Sequence, residues 1–85
     1  MNMREKISAR LTAGLSPTML EVIDESHLHA GHSGARAGGE THYRVRLAAP
    51  GFAGKSLVAC HRLVNDALAE ELAASVHALA IEVAR

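Results

Sequence analysis

The chain has 85 residues, 48% of them hydrophobic, and its nine basic and nine acidic side chains cancel to a formal charge of zero. That length makes a single domain spanning residues 1–85 and buries only about 60–65% of the unfolded surface, the scale of an interaction module rather than a large-cleft enzyme. Zero net charge removes the simplest case for nucleic acid, where excess Lys and Arg supply most of the affinity, and the apolar content argues against disorder. Residues 1–13 are interrupted by Arg4, Glu5, Lys6 and Arg10, so they offer neither a signal-peptide core nor a membrane span. A lone cysteine, Cys60, excludes an internal disulfide and a Cys-rich metal knuckle. With no export signal, the expected compartment is reducing and cytoplasmic. Six histidines beside one Tyr and one Phe make imidazole the expected carrier of any chemistry.

In chain order, Met3, Ile7, Leu11 and Leu15 recur every four positions, one face of a first helix. Asn2 and Glu5 have the spacing of a capping box, and Gly14 with Pro17 supplies the expected stop. Residues 19–26 carry β-branched Val22 and Ile23 and read as a strand. Residues 41–49 alternate Tyr43, Val45 and Leu47 against His42, Arg44 and Arg46, the pattern of a half-buried antiparallel strand with a solvated face. Glu21 and Glu25 are placed to pair across with Arg44 and Arg46. Residues 27–40 hold four glycines and three histidines and read as a long mobile loop, a length that is usually either functional or poorly ordered. Pro50-Gly51 ends the second strand, with Phe52 anchoring a short turn before Gly54.

From Lys55 to Ser75 the pattern is helical, with Leu57, His61, Val64, Leu68 and Leu72 along one side; one bent helix or two short ones fit equally. Leu79, Ile81 and Val83 alternate with smaller or charged residues as a last strand. The expected architecture is α+β, in the order α-β-β-α(α)-β, with helices on one face of a three-stranded sheet.

No phosphate-cradling glycine loop, nucleophile elbow or paired carboxylate in a cleft is present, so the chain is expected not to be an enzyme. The histidines remain. His27, His29 and His32 share one loop, and neutral imidazole is a ligand for zinc, copper and iron, although such a trio is more often solvated than metal-bound. A zinc or copper buffer built on His29 and His32 would bind metal without a partner. His77 stands at a helix-to-strand junction, where closing the turn through a backbone hydrogen bond is its bland role. His61 falls on the apolar stripe as a partly buried, hydrogen-bonded core residue, and His42 decorates the solvated side of its strand. Cys60 lies beside the stripe as a small semi-buried thiol.

The ordered set Leu20-Glu21-Val22, Asp24-Glu25-Ser26, Gly39-Glu40-Thr41-His42-Tyr43, Phe52-Ala53-Gly54, His61-Arg62-Leu63-Val64-Asn65, Leu68-Ala69-Glu70-Glu71-Leu72 and Val76-His77-Ala78-Leu79 resembles the BolA-like family almost end to end. The resemblance implies a class II KH-like α/β sandwich. It also implies a heterodimer with a monothiol glutaredoxin around a bridging [2Fe-2S] cluster, with the glutaredoxin cysteine and a glutathione thiol on one side. On this chain the implied ligands are His77, before the last strand, and His29 from the loop, with His32 or His27 as substitutes. The isolated chain is then expected to hold no cluster firmly. Cys60 stands where the family is commonly basic, and the loop carries an extra histidine.

The resemblance also carries a second reading, a DNA-binding regulator whose Lys55, His61 and Arg62 meet the nucleic-acid backbone. Zero charge, the absence of stacking aromatics on the sheet and the placing of Gly31-x-x-Gly34 between strands rather than helices weigh against it.

Overall fold

A computed structural model describes residues 2–25, 42–74, 76 and 78–84. The first helix, α1, runs Met3–Leu15. Its capping box forms as expected: the Asn2 side chain accepts from the Glu5 N–H at 2.8 Å, and the Glu5 carboxylate accepts from the Asn2 N–H at 3.3 Å. Ile7 and Leu11 are fully buried, with Met3 and Leu15 packed at the margin. The stop differs from expectation. Ser16, not Gly14, takes the left-handed conformation at φ 47°, and its N–H donates to the Thr12 carbonyl at 3.2 Å.

Gly14 is instead a helical residue facing the next helix, where an added Cβ would meet the Ala67 Cβ at 3.5 Å, an ordinary contact. Gly14→Ala is therefore expected to raise stability by about 0.5–1 kcal/mol through helix propensity, read as a higher urea midpoint. A lower midpoint would mean that Ala67 cannot accommodate the methyl.

Strands β1 (Met19–Asp24) and β2 (His42–Ala48) pair antiparallel, with Leu20 opposite Leu47 and Val22 opposite Val45. Strand β3 (Ala78–Val83) pairs parallel to β2 on its other side, giving the order β1-β2-β3. A parallel pair needs a crossover. Here the intervening chain supplies a 3-10 turn at Pro50–Phe52, then α2 (Leu57–Ala67) and α3 (Ala69–Ala74).

The region after Lys55 is thus two helices, broken at Leu68, whose φ of −107° and ψ of 17° leave the helical basin. The Ser56 side chain caps α2 by accepting from the Ala59 N–H at 3.1 Å. Burial begins one turn in, at Cys60, and continues through Val64 and Leu68. Leu57, expected on the buried stripe, is 50% exposed, because the first turn lies outside the contact with the sheet. His61 is half-buried at the margin of the core.

The core forms between these helices and one face of the sheet: Ile7, Leu11, Tyr43, Val45, Leu47, Phe52, Cys60, Val64, Leu68 and Val76. Gly54 follows the turn at φ 74°, a conformation that a side chain would strain. Arg10 ties α1 to α3 through Glu70 and the buried Glu71, whose Oε2 accepts from Nε at 3.3 Å.

The opposite face of the sheet is charged. Arg44 Nε meets Glu25 at 2.9 Å and its NH1 meets Glu82 at 2.7 Å, while Arg46 reaches Glu82 at 3.2 Å and Glu21 at 3.3 Å. The strand parity that buries Tyr43, Val45 and Leu47 forces the arginines outward, so the cross-strand pairs expected from sequence form, with Glu82 added as the bridge. The Arg44 hydrogen bond, aided by Arg46, holds the Glu82 carboxyl below the usual carboxylate range. Arg44 is raised by its bonds to Glu25 and Glu82 and stays charged throughout. For a depressed carboxylate the stabilising share is complete above the ordinary glutamate range and is lost as pH falls through the lowered value. Glu82→Gln is expected to flatten the acid limb of a stability–pH curve measured by urea unfolding between about pH 3 and 6; an unchanged limb would assign that limb to other carboxylates.

Candidate functional site

Three strand ends meet at one edge of the sheet. The Glu25 N–H, just past β1, donates to the His42 carbonyl at 2.9 Å, and His42, the first residue of β2, pairs in register with Ala78, the first of β3. Along the charged face this forms a row of Glu25, His42 and Ala78, with Arg44 one step behind and bonded to Glu25. Around it lies a shallow hollow of about 270 Å³ that Tyr43, Leu79 and Ala80 also line. Val76 is anchored by burial and by its N–H to the Glu71 carbonyl at 3.1 Å. The described chain therefore leaves the sheet at Glu25, returns at His42 and enters β3 at Ala78, all at this edge.

The expected ligands His77, His29, His32 and His27 lie outside the described residues. What is described is their framing: the segment carrying the loop histidines is bounded by Glu25 and His42, and His77 by Val76 and Ala78. Among the described residues, no group of three or more His, Cys, Asp or Glu is placed to hold a metal.

Cys60 bears on the chemistry of any shared centre. It is the only thiol in the chain, it is fully buried, and its Sγ lies 3.9 Å from the Phe52 carbonyl. A metal or cluster at the sheet edge would draw no thiolate from this chain, which leaves imidazole as the donor suited to iron.

His42, expected on the solvated side of its strand, lies on that face, half-buried and central to the row. Parity assigns the face; its pairing with Ala78 comes from the register between β2 and β3.

The residues of the nucleic-acid reading lie elsewhere. Lys55 precedes the cap of α2 and Arg62 sits on its outer face, both exposed, with His61 half-buried beside them. They form no continuous basic surface, because Leu57 and Val58, 50% and 62% exposed, stand among them. The helix that carries them starts after the 3-10 turn at the end of β2 remote from His42, and that strand is about 20 Å long.

Order, register and site framing define a small α+β domain with a parallel β2–β3 crossover and an edge where three strand ends converge. The chain belongs to the BolA-like family, whose model matches residues 11–85. It is 49% identical over 83 residues to a Sinorhizobium sp protein described as uncharacterised and encoded in the cobS 5' region, covering 96% of this chain and 89% of that one. It is 42% identical over 81 residues to the protein named DNA-binding transcriptional regulator BolA of Escherichia coli K12, covering 95% and 73%. Among solved structures, the BolA domain of SufE1 from Arabidopsis thaliana superposes with a TM-score of 0.84 at 44% identity, over 94% of this chain and 87% of that one. Among the described residues, no helix is long and apolar enough to cross a membrane.

Proposed function

We propose that the protein is a non-enzymatic cytoplasmic adaptor. It pairs with a monothiol glutaredoxin and shares a bridging [2Fe-2S] cluster as cargo, in iron-sulfur trafficking or iron sensing. The observation that carries this reading is the convergence of strand ends: the described flanks of both histidine segments lie at one sheet edge, while the only thiol is sealed in the core. His77 and His29 are the ligands from this chain, with His32 or His27 as substitutes for the latter. The partner's cysteine and a glutathione thiol complete the set. Replacing two thiolates by neutral imidazoles raises the reduction potential above that of an all-thiolate centre, so a mixed complex is chemically distinct from a glutaredoxin homodimer.

The second reading, a DNA-binding regulator, draws on the name of the Escherichia coli relative. The exposed Leu57 and Val58 among Lys55, His61 and Arg62, together with zero net charge, leave it behind the adaptor.

The test is stoichiometric. Reconstitution with iron, sulfide, glutathione and a monothiol glutaredoxin is expected to yield a one-to-one heterodimer in native mass spectrometry, carrying two irons and two sulfides. Homodimeric glutaredoxin as the only cluster-bearing species would reject the shared centre.

A further inference from the structure

Among the described residues the exposed large hydrophobics are Met19, Leu57 and Val58, and the last two are neighbours at the start of α2. Leu57 and Val58 expose 50% and 62% of their surface on the first turn of the helix. Their i+4 neighbours are His61, half-buried at the margin of the core, and Arg62, exposed, so Val58 and Arg62 share the outward face and Leu57 borders it. No acidic residue lies in the first turn, and exposed Lys55 precedes the Ser56 cap. The positive end of the helix dipole adds to the same sign. The nearest acid on the helix is Asp66, one turn beyond Arg62.

Adjacent aliphatics in water, rimmed by positive charge, are the layout of a protein-docking centre with a polar rim. Phosphate recognition needs no apolar centre and gains nothing from burying one.

We propose that this face is a second docking surface, which takes a protein segment offering an apolar side chain between acidic ones. The apolar group covers Leu57 and Val58, and the acids meet Arg62 and the α2 N-terminus. The helix starts after the turn that ends β2, and His42 stands at the other end of that strand, which is about 20 Å long. This assignment stands apart from the cluster reading and is tested without iron.

The probe is a short synthetic peptide that forms a Leu-faced helix flanked by Glu, with its Glu→Gln counterpart and a short duplex DNA as comparisons. The apo protein is followed by amide NMR shifts and fluorescence anisotropy. The acidic peptide is expected to shift residues 56–62 and to bind more tightly than its Gln counterpart. Val58→Asp is expected to weaken it about tenfold or more, and Arg62→Glu several-fold with loss of salt dependence. An acid in the first turn suits the helix dipole, so Val58→Asp should keep its thermal midpoint, and Val58→Ser serves as the uncharged check. The proposal is overturned if the peptide leaves these amides unmoved, or if Val58→Asp binds as well as wild type. It is equally overturned if the duplex binds this face more tightly than the peptide.

Discussion

Replacing Phe52 with alanine is expected to destabilise the protein by about 3–5 kcal/mol, among the largest effects of a core truncation. Phe52 is the only phenylalanine in the chain and is 1% exposed. It closes the 3-10 turn at which the chain leaves β2, and its carbonyl accepts from the Lys55 N–H at 3.1 Å as well as facing the Cys60 thiol. The ring therefore fills the core and fixes the corner that aims α2 back across the sheet. Small domains have total stabilities of about 5–15 kcal/mol, so the variant should be partly unfolded at ambient temperature. Urea unfolding followed by circular dichroism reads this directly. A loss below about 1 kcal/mol would mean that neighbouring side chains collapse into the space, and that the corner is held by its backbone bonds alone.

The second large effect is expected at His77. Among the proposed ligands it sits immediately before β3, whose first residue pairs with His42 of the central strand. His29, His32 and His27 share a segment bounded by Glu25 and His42, so one can substitute for another in a way that nothing can for His77. His77→Ala should therefore abolish formation of the mixed cluster, while His29→Ala should weaken it or leave it intact according to which loop histidine serves. Neither His77 nor His29 is among the described core residues, and both variants are expected to fold as the wild type does. A thermal midpoint close to wild type alongside loss of the mixed cluster separates ligand removal from unfolding.

Much of the fold is written locally. The Asn2–Glu5 box, the alternation of Tyr43, Val45 and Leu47, and the pairing of Arg44 and Arg46 with Glu25 and Glu21 all follow from spacing, because each depends on neighbours in one helix turn or across one strand pair. Properties that depend on where an element ends in space were not legible. Leu57 matches the apolar period of α2, yet its turn projects past the sheet. Ser16 adopts a left-handed cap that propensity assigns to glycine, and Gly14 serves the contact with Ala67 instead. The break at Leu68 separates two good helix-forming stretches and left no composition signal.

The candidate site divides in the same way. Counting histidines raises imidazole as the expected chemistry, and the family resemblance implies His77 and a loop histidine, but spacing alone offers three loop histidines without ranking them. The convergence of Glu25, His42 and Ala78 at one edge required the register of two strand pairs, one of them with β3 some thirty residues beyond β2 in the chain. No local pattern contains that information.

The central claim is that imidazole from this chain completes a cluster shared with a glutaredoxin, and visible circular dichroism of a reconstituted mixture tests it most directly. Wild type, His77→Ala and His29→Ala are each reconstituted with a monothiol glutaredoxin and glutathione. The expected result is a spectrum distinct from that of the glutaredoxin homodimer, formed with wild type and lost in His77→Ala. The homodimer spectrum persisting unchanged after addition of the wild-type protein would contradict the shared cluster.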